Sequence, residues 1–139
     1  VLRGGEAGTN YHAAAVDSTA NLLAQSGFRD RRIMVDCSHG NSEKQHERQV
    51  ISCGSVAAQV ADGTKSIGGV LIESFLVAGR QNFEPGATTH LEYGKSITDA
   101  CVDMNTTEAM LRNLAVAVRS RRGLSMESSH KVLAHLVHH

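Results

Sequence analysis

Apolar positions recur along the chain in two rhythms. Over 12–25, Ala15, Val16, Thr19, Ala20, Leu22 and Leu23 return near every 3.6 residues, the spacing of a helix that buries one face. Gly27 follows at the place where a left-handed residue commonly ends a helix. Ile33-Met34-Val35-Asp36-Cys37 is then a short apolar run of strand length. A second helical rhythm over 43–62 sets Val50, Cys53, Ala57, Val60 and Ala61 on one face, with Gly63 as its stop signal. The run 67–72 is apolar almost throughout, as in a strand covered on both faces. No rhythm survives across 74–98, which holds the single proline, Pro85. Asn105-Thr106-Thr107-Glu108 has the pattern of a capping box. It opens a helix with Leu111, Leu114, Ala115 and Val118 on one face, closed by a basic turn at 119–122 that suits a helix C-terminus.

Val1-Leu2 reads as the last two residues of a buried strand, so a larger domain of which this chain is part is expected. The order is then strand end, helix, strand, helix, strand, long loop, helix, which is the signature of a parallel α/β fold. Periodicity alone leaves open whether these strands belong to an open sheet or to a closed barrel. The stretch 74–98 is longer than ordinary connections, and loops of that length usually carry function.

Composition narrows the function classes. With 139 residues, 41 % apolar and 20 % charged, the chain is of single-domain size and globular in character. Its 14 basic and 14 acidic residues cancel, which removes the electrostatic case for a dedicated nucleic-acid or membrane-surface binder. No apolar run approaches the roughly 20 residues of a membrane span. Three cysteines, an odd number, argue for a reducing, cytoplasmic setting and against a disulfide framework. The start, Val1-Leu2-Arg3-Gly4-Gly5, lacks the charged-then-apolar pattern of a signal peptide.

In α/β folds chemistry gathers at the C-terminal ends of the strands. Those positions here hold Arg3-Gly4-Gly5, Asp36-Cys37-Ser38-His39 and Glu73-Ser74, and the long loop delivers Asp99. His39, Glu73 and Asp99 make a metal set: one imidazole nitrogen and two carboxylates suit Mn, Fe, Co or Zn with a position left open. Read singly, each has an ordinary alternative as a turn or cap residue. Arg3 before two glycines suits a phosphate or carboxylate contact, against the alternative of a solvated turn arginine. Lys95, in Gly94-Lys95-Ser96, lacks the upstream glycine of a phosphate loop. A Cys37–His39 nucleophilic pair is conceivable but has no evident orienting group, and Cys53 lies on an apolar helix face as a core residue would.

Taken together, several runs resemble one family. These are Leu2-Arg3-Gly4-Gly5, Asn10-Tyr11, Asp36-Cys37-Ser38-His39-Gly40-Asn41-Ser42 with Lys44, Gly69-Val70-Leu71-Ile72-Glu73-Ser74, and Tyr93-Gly94-Lys95-Ser96-Ile97-Thr98-Asp99-Ala100-Cys101. In this order they resemble the C-terminal part of a class I 3-deoxy-D-arabino-heptulosonate 7-phosphate (DAHP) synthase, over 1–123. The resemblance implies a (β/α)8 TIM barrel, of which this chain would supply the end of strand 6 through helix 8. It implies condensation of phosphoenolpyruvate with erythrose 4-phosphate, with release of phosphate, as the first step of the shikimate pathway to aromatic amino acids. It implies a divalent metal held by a Cys, a His, a Glu and an Asp, the last three matched by His39, Glu73 and Asp99. The family's metal-binding Cys follows the first strand, outside this chain, and Cys37 is no replacement for it. Arg3 matches an arginine on the phosphate of phosphoenolpyruvate. Asp99 would also face the sugar phosphate, and His39 and Asp99 would be the catalytic groups. A homo-oligomer is implied for the full-length enzyme.

The tail 124–139 has no match in that family. It is expected to form a short or frayed helix with Val132, Leu133, Leu136 and Val137 as a stripe. Its His130, His135, His138 and His139 are a lesser candidate for metal binding. With one metal ligand and most anion-binding residues elsewhere, the chain alone is expected to be inactive. The alternative is a non-catalytic α/β remnant that binds metal or phosphorylated ligands. An open flavodoxin-like sheet also fits the alternation, but leaves the matched runs unexplained.

Overall fold

The computed structural model describes residues 1–28, 31–86 and 91–136, the last ten of these as backbone only. Helix α1, Ala13–Gln25, buries Val16 completely, and Ala20 and Leu23 pack beside it. Leu22 lies instead on the solvent side. The helix stops in a paired closing turn: Gly27 N–H donates to Ala24 O at 3.1 Å and Phe28 N–H to Leu23 O at 2.8 Å. Gly27 has φ +84°, a conformation only glycine adopts without strain.

Strand β1, Ile33–Asp36, pairs in parallel with β2, Ile67–Leu71, with Val35 opposite Val70. On the other side of β1, Leu2 forms a parallel bridge to Val35: Leu2 N–H donates to Met34 O at 2.9 Å and Asp36 N–H to Leu2 O at 2.8 Å. The expected strand end at Val1-Leu2 is therefore a real ladder partner. Beyond β2, Ser74 bridges Val102 in parallel. Four chain segments thus run side by side in one direction, as the predicted α/β class requires.

Helix α2, Gln49–Ala61, lies between β1 and β2 in sequence and packs on both through Val56, Ala57 and Val60. These meet Ile33, Val35, Ile67 and Ala117 in the main core. Each fully buried valine there contributes about 1.5–3 kcal/mol. A second apolar cluster joins Cys37, Cys53, Val102 and Met110. The predicted helix over 43–62 begins six residues late, and Val50 of its expected face is exposed. Short 3-10 turns at His39–Ser42 and His46–Arg48 fill the gap. His39, Glu43 and Lys44 carry left-handed backbone there, which an α-helix cannot continue through.

Two strands cross the stretch expected to be a loop. β3, Val77–Arg80, pairs in parallel with β4, Lys95–Ser96, and Gly79 bridges Cys101. The Gln81 amide ties this segment to Glu92 and Lys95.

Helix α3, Met104–Leu136, is capped by Asp103, not by Asn105: Thr106 N–H donates to Asp103 Oδ1 at 2.7 Å. That backbone donor holds the Asp103 carboxyl below its ordinary pKa. The helix passes the expected stop at 119–122, because a single Gly123 costs only about 1 kcal/mol and no proline follows. The backbone of the tail is thus continuous with α3 through Leu136. The expected apolar stripe and the tail histidines lie outside the described side chains.

Coverage of β1 is one-sided. Val35 is fully buried toward the helices, while Met34, on the opposite face beside Gly69, is 42 % exposed. The cover on both faces expected of 67–72 is partial: Ile67 is buried and Val70 packs against both apolar clusters, while Val70 and Leu71 stay half-buried. Among those residues no helix is long and apolar enough to cross a membrane.

Candidate functional site

The ends of β1 and β2 and the segment after β4 converge on one small cavity of about 60 Å³, lined by His39, Lys44, His46, Glu73 and Asp99 among others. β1 ends in Asp36, which is 3 % exposed. Its Oδ1 accepts from Ser38 N–H at 2.9 Å and from Ser38 Oγ at 2.6 Å. Its Oδ2 lies 2.8 Å from His39 Nδ1. A carboxylate can only accept, so Nδ1 carries a proton, and in the neutral ring Nε2 keeps its lone pair. That Nε2 faces Glu73 Oε1 at 3.5 Å. An acceptor-bound imidazole presenting its bare nitrogen to a cluster of carboxylates is the usual arrangement of a metal-ligating histidine.

Glu73 and Asp99 complete the cluster. One donor atom from each of His39, Glu73 and Asp99 lies within 4.8 Å of the others. Two bonds of about 2.0–2.2 Å span at most about 4.4 Å, so the three side chains would draw together slightly to hold such an ion. Burial pushes the Glu73 carboxyl pKa up; His39 opposes the shift, and the nearby Asp99 and Asp36 carboxylates add to it. Crowded acceptors with one bare nitrogen make a donor set that fits a divalent cation.

Arg3 sits on the same edge by a different means. Gly4 and Gly40 cross so closely that a Cβ on Gly4 would stand 2.5 Å from the Gly40 carbonyl carbon. Asn41, 2 % exposed, ties the crossing together. Its Nδ2 donates to Asp36 O at 2.8 Å and Leu2 O at 3.2 Å, and its Oδ1 accepts from Asn10 N–H at 2.7 Å. Gly4 N–H in turn donates to Asn10 Oδ1 at 2.8 Å. Arg3 is therefore joined to the His39 turn through backbone, Arg3 O accepting from Asn41 N–H at 3.2 Å, while its side chain is exposed and does not line the cavity.

The remaining candidates separate from the site. Cys37 is fully buried, and a hydrogen bond with Cys53 together with burial drives its thiol pKa far up. It cannot serve His39 as a nucleophile. Lys95 pairs with Glu92 at 2.9 Å. Asp36, Asn41 and Gln49 are the supporting residues to which sequence reasoning gave no role. The first two lay within the recognised runs, but Gln49, at a helix start, carried no signal.

The model of the DAHP synthetase I family matches residues 1–112. The phospho-2-dehydro-3-deoxyheptonate aldolase of Alternaria alternata is 48 % identical over 124 residues, covering 89 % of this chain and 33 % of that protein. The Phe-sensitive phospho-2-dehydro-3-deoxyheptonate aldolase of Escherichia coli K12 is 46 % identical over 123 residues, covering 88 % and 34 %. Among solved structures, the phospho-2-dehydro-3-deoxyheptonate aldolase of Francisella tularensis SCHU S4 superposes with a TM-score of 0.80 at 40 % identity, covering 86 % of this chain and 33 % of that one. The chain spans about a third of the length of these relatives.

Proposed function

The chain belongs to the DAHP synthetase I family, and from that premise we propose that it forms the metal-bearing part of a 3-deoxy-7-phosphoheptulonate synthase. The reaction joins C3 of phosphoenolpyruvate to the aldehyde carbon of erythrose 4-phosphate, consumes one water and releases phosphate, opening the shikimate pathway to aromatic amino acids. The observation that carries the reading is the convergence of His39 and Glu73, just past the ends of the parallel strands β1 and β2, with Asp99 from the segment after β4. The same parallel order supports assigning 1–123 to a (β/α)8 barrel, from the end of strand 6 through helix 8, with 124–139 as an appended tail.

His39 through Nε2, Glu73 and Asp99 would hold a divalent metal: Mn, Fe, Co or Zn. Such an ion supplies Lewis-acid polarisation of an aldehyde. Asp36 keeps the His39 proton on Nδ1. Asp99, the most exposed of the three, both ligates and faces the sugar hydroxyls. Arg3 reaches from the glycine crossing to bind the phosphate of phosphoenolpyruvate by charge-assisted hydrogen bonds. A cytoplasmic setting and a homo-oligomer complete the proposal, the first supported by three unpaired cysteines.

A second reading is a non-catalytic module that binds metal or phosphorylated ligands. The exposed Met34, Phe75, Leu76 and Ile97 favour it, since apolar side chains at the strand ends lack cover within this chain. The test is phosphoenolpyruvate consumption with erythrose 4-phosphate and Mn²⁺ by the purified chain, alone and mixed with the remaining two-thirds of a relative's chain, beside His39→Ala. Metal-dependent turnover, in either form, that is lost in the variant supports part of a synthase. The chain alone is expected to be inactive on both readings; Mn²⁺ binding without turnover even in the mixture supports the module, and absence of both removes the metal reading.

A further inference from the structure

Gln49, the first residue of α2, is 0 % exposed and among the largest fully buried side chains. Polar side chains are rarely buried so completely without a partner that requires them. Its partner is the backbone of Glu73, met in both directions. Glu73 N–H donates to Gln49 Oε1 at 2.8 Å, and Gln49 Nε2 donates to Glu73 O at 3.0 Å.

The need for this clamp follows from the strand ladder. Cys37 N–H donates to Leu71 O at 2.9 Å, the last rung on that side. The chain then turns away at Ser38 to place His39. Glu73 lies two residues past the end of β2, with no strand on the β1 side. On the opposite side Val102 N–H reaches Glu73 O at 2.9 Å. The Gln49 amide stands in for the missing rung, offering one acceptor and one donor to the Glu73 backbone. The same helical turn braces β1 as well, Ser52 Oγ donating to Cys37 O at 2.8 Å.

We propose that Gln49 is a positioning residue for Glu73: its two-way amide clamp fixes the backbone that carries the carboxylate and so sets that carboxylate toward the ion. This rests on the metal reading above. Partners behind a metal ligand typically govern affinity by about 10–100-fold, although they never touch the ion.

The test measures Mn²⁺ affinity of the full chain, by the loss of the free-ion resonance signal on titration, together with its denaturation midpoint. Gln49→Met keeps the volume and removes both bonds. The control is Gln59→Met on the same helix, whose amide reaches Tyr11 O at 2.8 Å, away from the cavity. Both variants should lose stability. Only Gln49→Met should weaken Mn²⁺ binding, by about 10-fold or more. In a Glu73→Ala background the same substitution should change affinity by no more than about twofold, because its route is gone. If Gln49→Met does not fold, Gln49→Glu takes its place; it keeps the acceptor for Glu73 N–H but loses a donor when ionised, and should also weaken binding. Affinity unchanged in the Gln49 variant overturns the proposal, as does equal loss in Gln59→Met, or a loss undiminished without Glu73. Parent chain that fails to bind Mn²⁺ at all defeats the metal reading instead, and this inference with it.

Discussion

Glu73 holds its proton more readily in the fold than in the unfolded chain, because burial and two neighbouring carboxylates disfavour its charge. The consequence for stability has a definite sign. Where the folded pKa lies above the unfolded one, stability falls as pH rises through the window between them. Metal-free Glu73→Gln should therefore melt higher than the parent at pH 7 and gain nothing near pH 3, below the ordinary glutamate range, where both side chains are neutral. Scanning calorimetry at the two pH values, with chelator present, checks this; a lower melting point at pH 7 would contradict it. At the glycine crossing the cost runs the other way. A Cβ on Gly40 would stand 2.7 Å from both Gly4 C and Gly5 N, all backbone atoms that cannot step aside. Gly40→Ala should cost about 1–3 kcal/mol in a urea titration, as overpacked sites do. His39 and Glu73 were legible in the sequence because they follow apolar runs, and Asp99 because it lies in the recognised run 93–101. Gln49 was not: a glutamine at the start of a helix reads as solvated until the strand ladder beside it is known.

The elements divide by what specifies them. β1 and β2 fall within one residue of the apolar runs that predict them, and α1 within one of its periodic stretch, since burial periodicity is a local property of the chain. The start of α2 was misread because left-handed backbone at His39, Glu43 and Lys44 belongs to residue types that give no sign of it. β3 and β4 were missed because their pairing joins residues distant in sequence, Val77 with Lys95 and Arg80 with Ser96. The N-terminal turn of α2 has a structural task that can be measured. Ser52 Oγ donates to the buried Cys37 carbonyl at 2.8 Å and also reaches Gln49 O at 3.2 Å. Ser52→Ala should destabilise the chain by about 1–3 kcal/mol, the usual penalty of stranding a buried acceptor. A change below about 0.5 kcal/mol would mean water or a backbone shift replaces the hydroxyl.

At the scale of the whole molecule, the site joins segments far apart in sequence: His39 follows β1, Glu73 follows β2 and Asp99 follows β4. An ion that binds the folded arrangement and not the open chain must stabilise the fold by mass action. Mn²⁺ at 100 times its dissociation constant should add about 2.7 kcal/mol, reversed by chelator and absent in His39→Ala. A melting point indifferent to Mn²⁺ would mean that the three side chains do not act together.

Asn41 offers a way to watch that assembly without any reaction. Its side-chain amide hydrogens are shared between Leu2 O and Asp36 O, inside a residue that is 2 % exposed. Such protons exchange slowly with solvent and resonate apart from those of surface asparagines. The pair of nitrogen-15 correlation peaks from this amide would therefore report whether the Arg3 segment stays latched to the His39 turn as anions or metal are added, a spectroscopic gauge built into the glycine crossing.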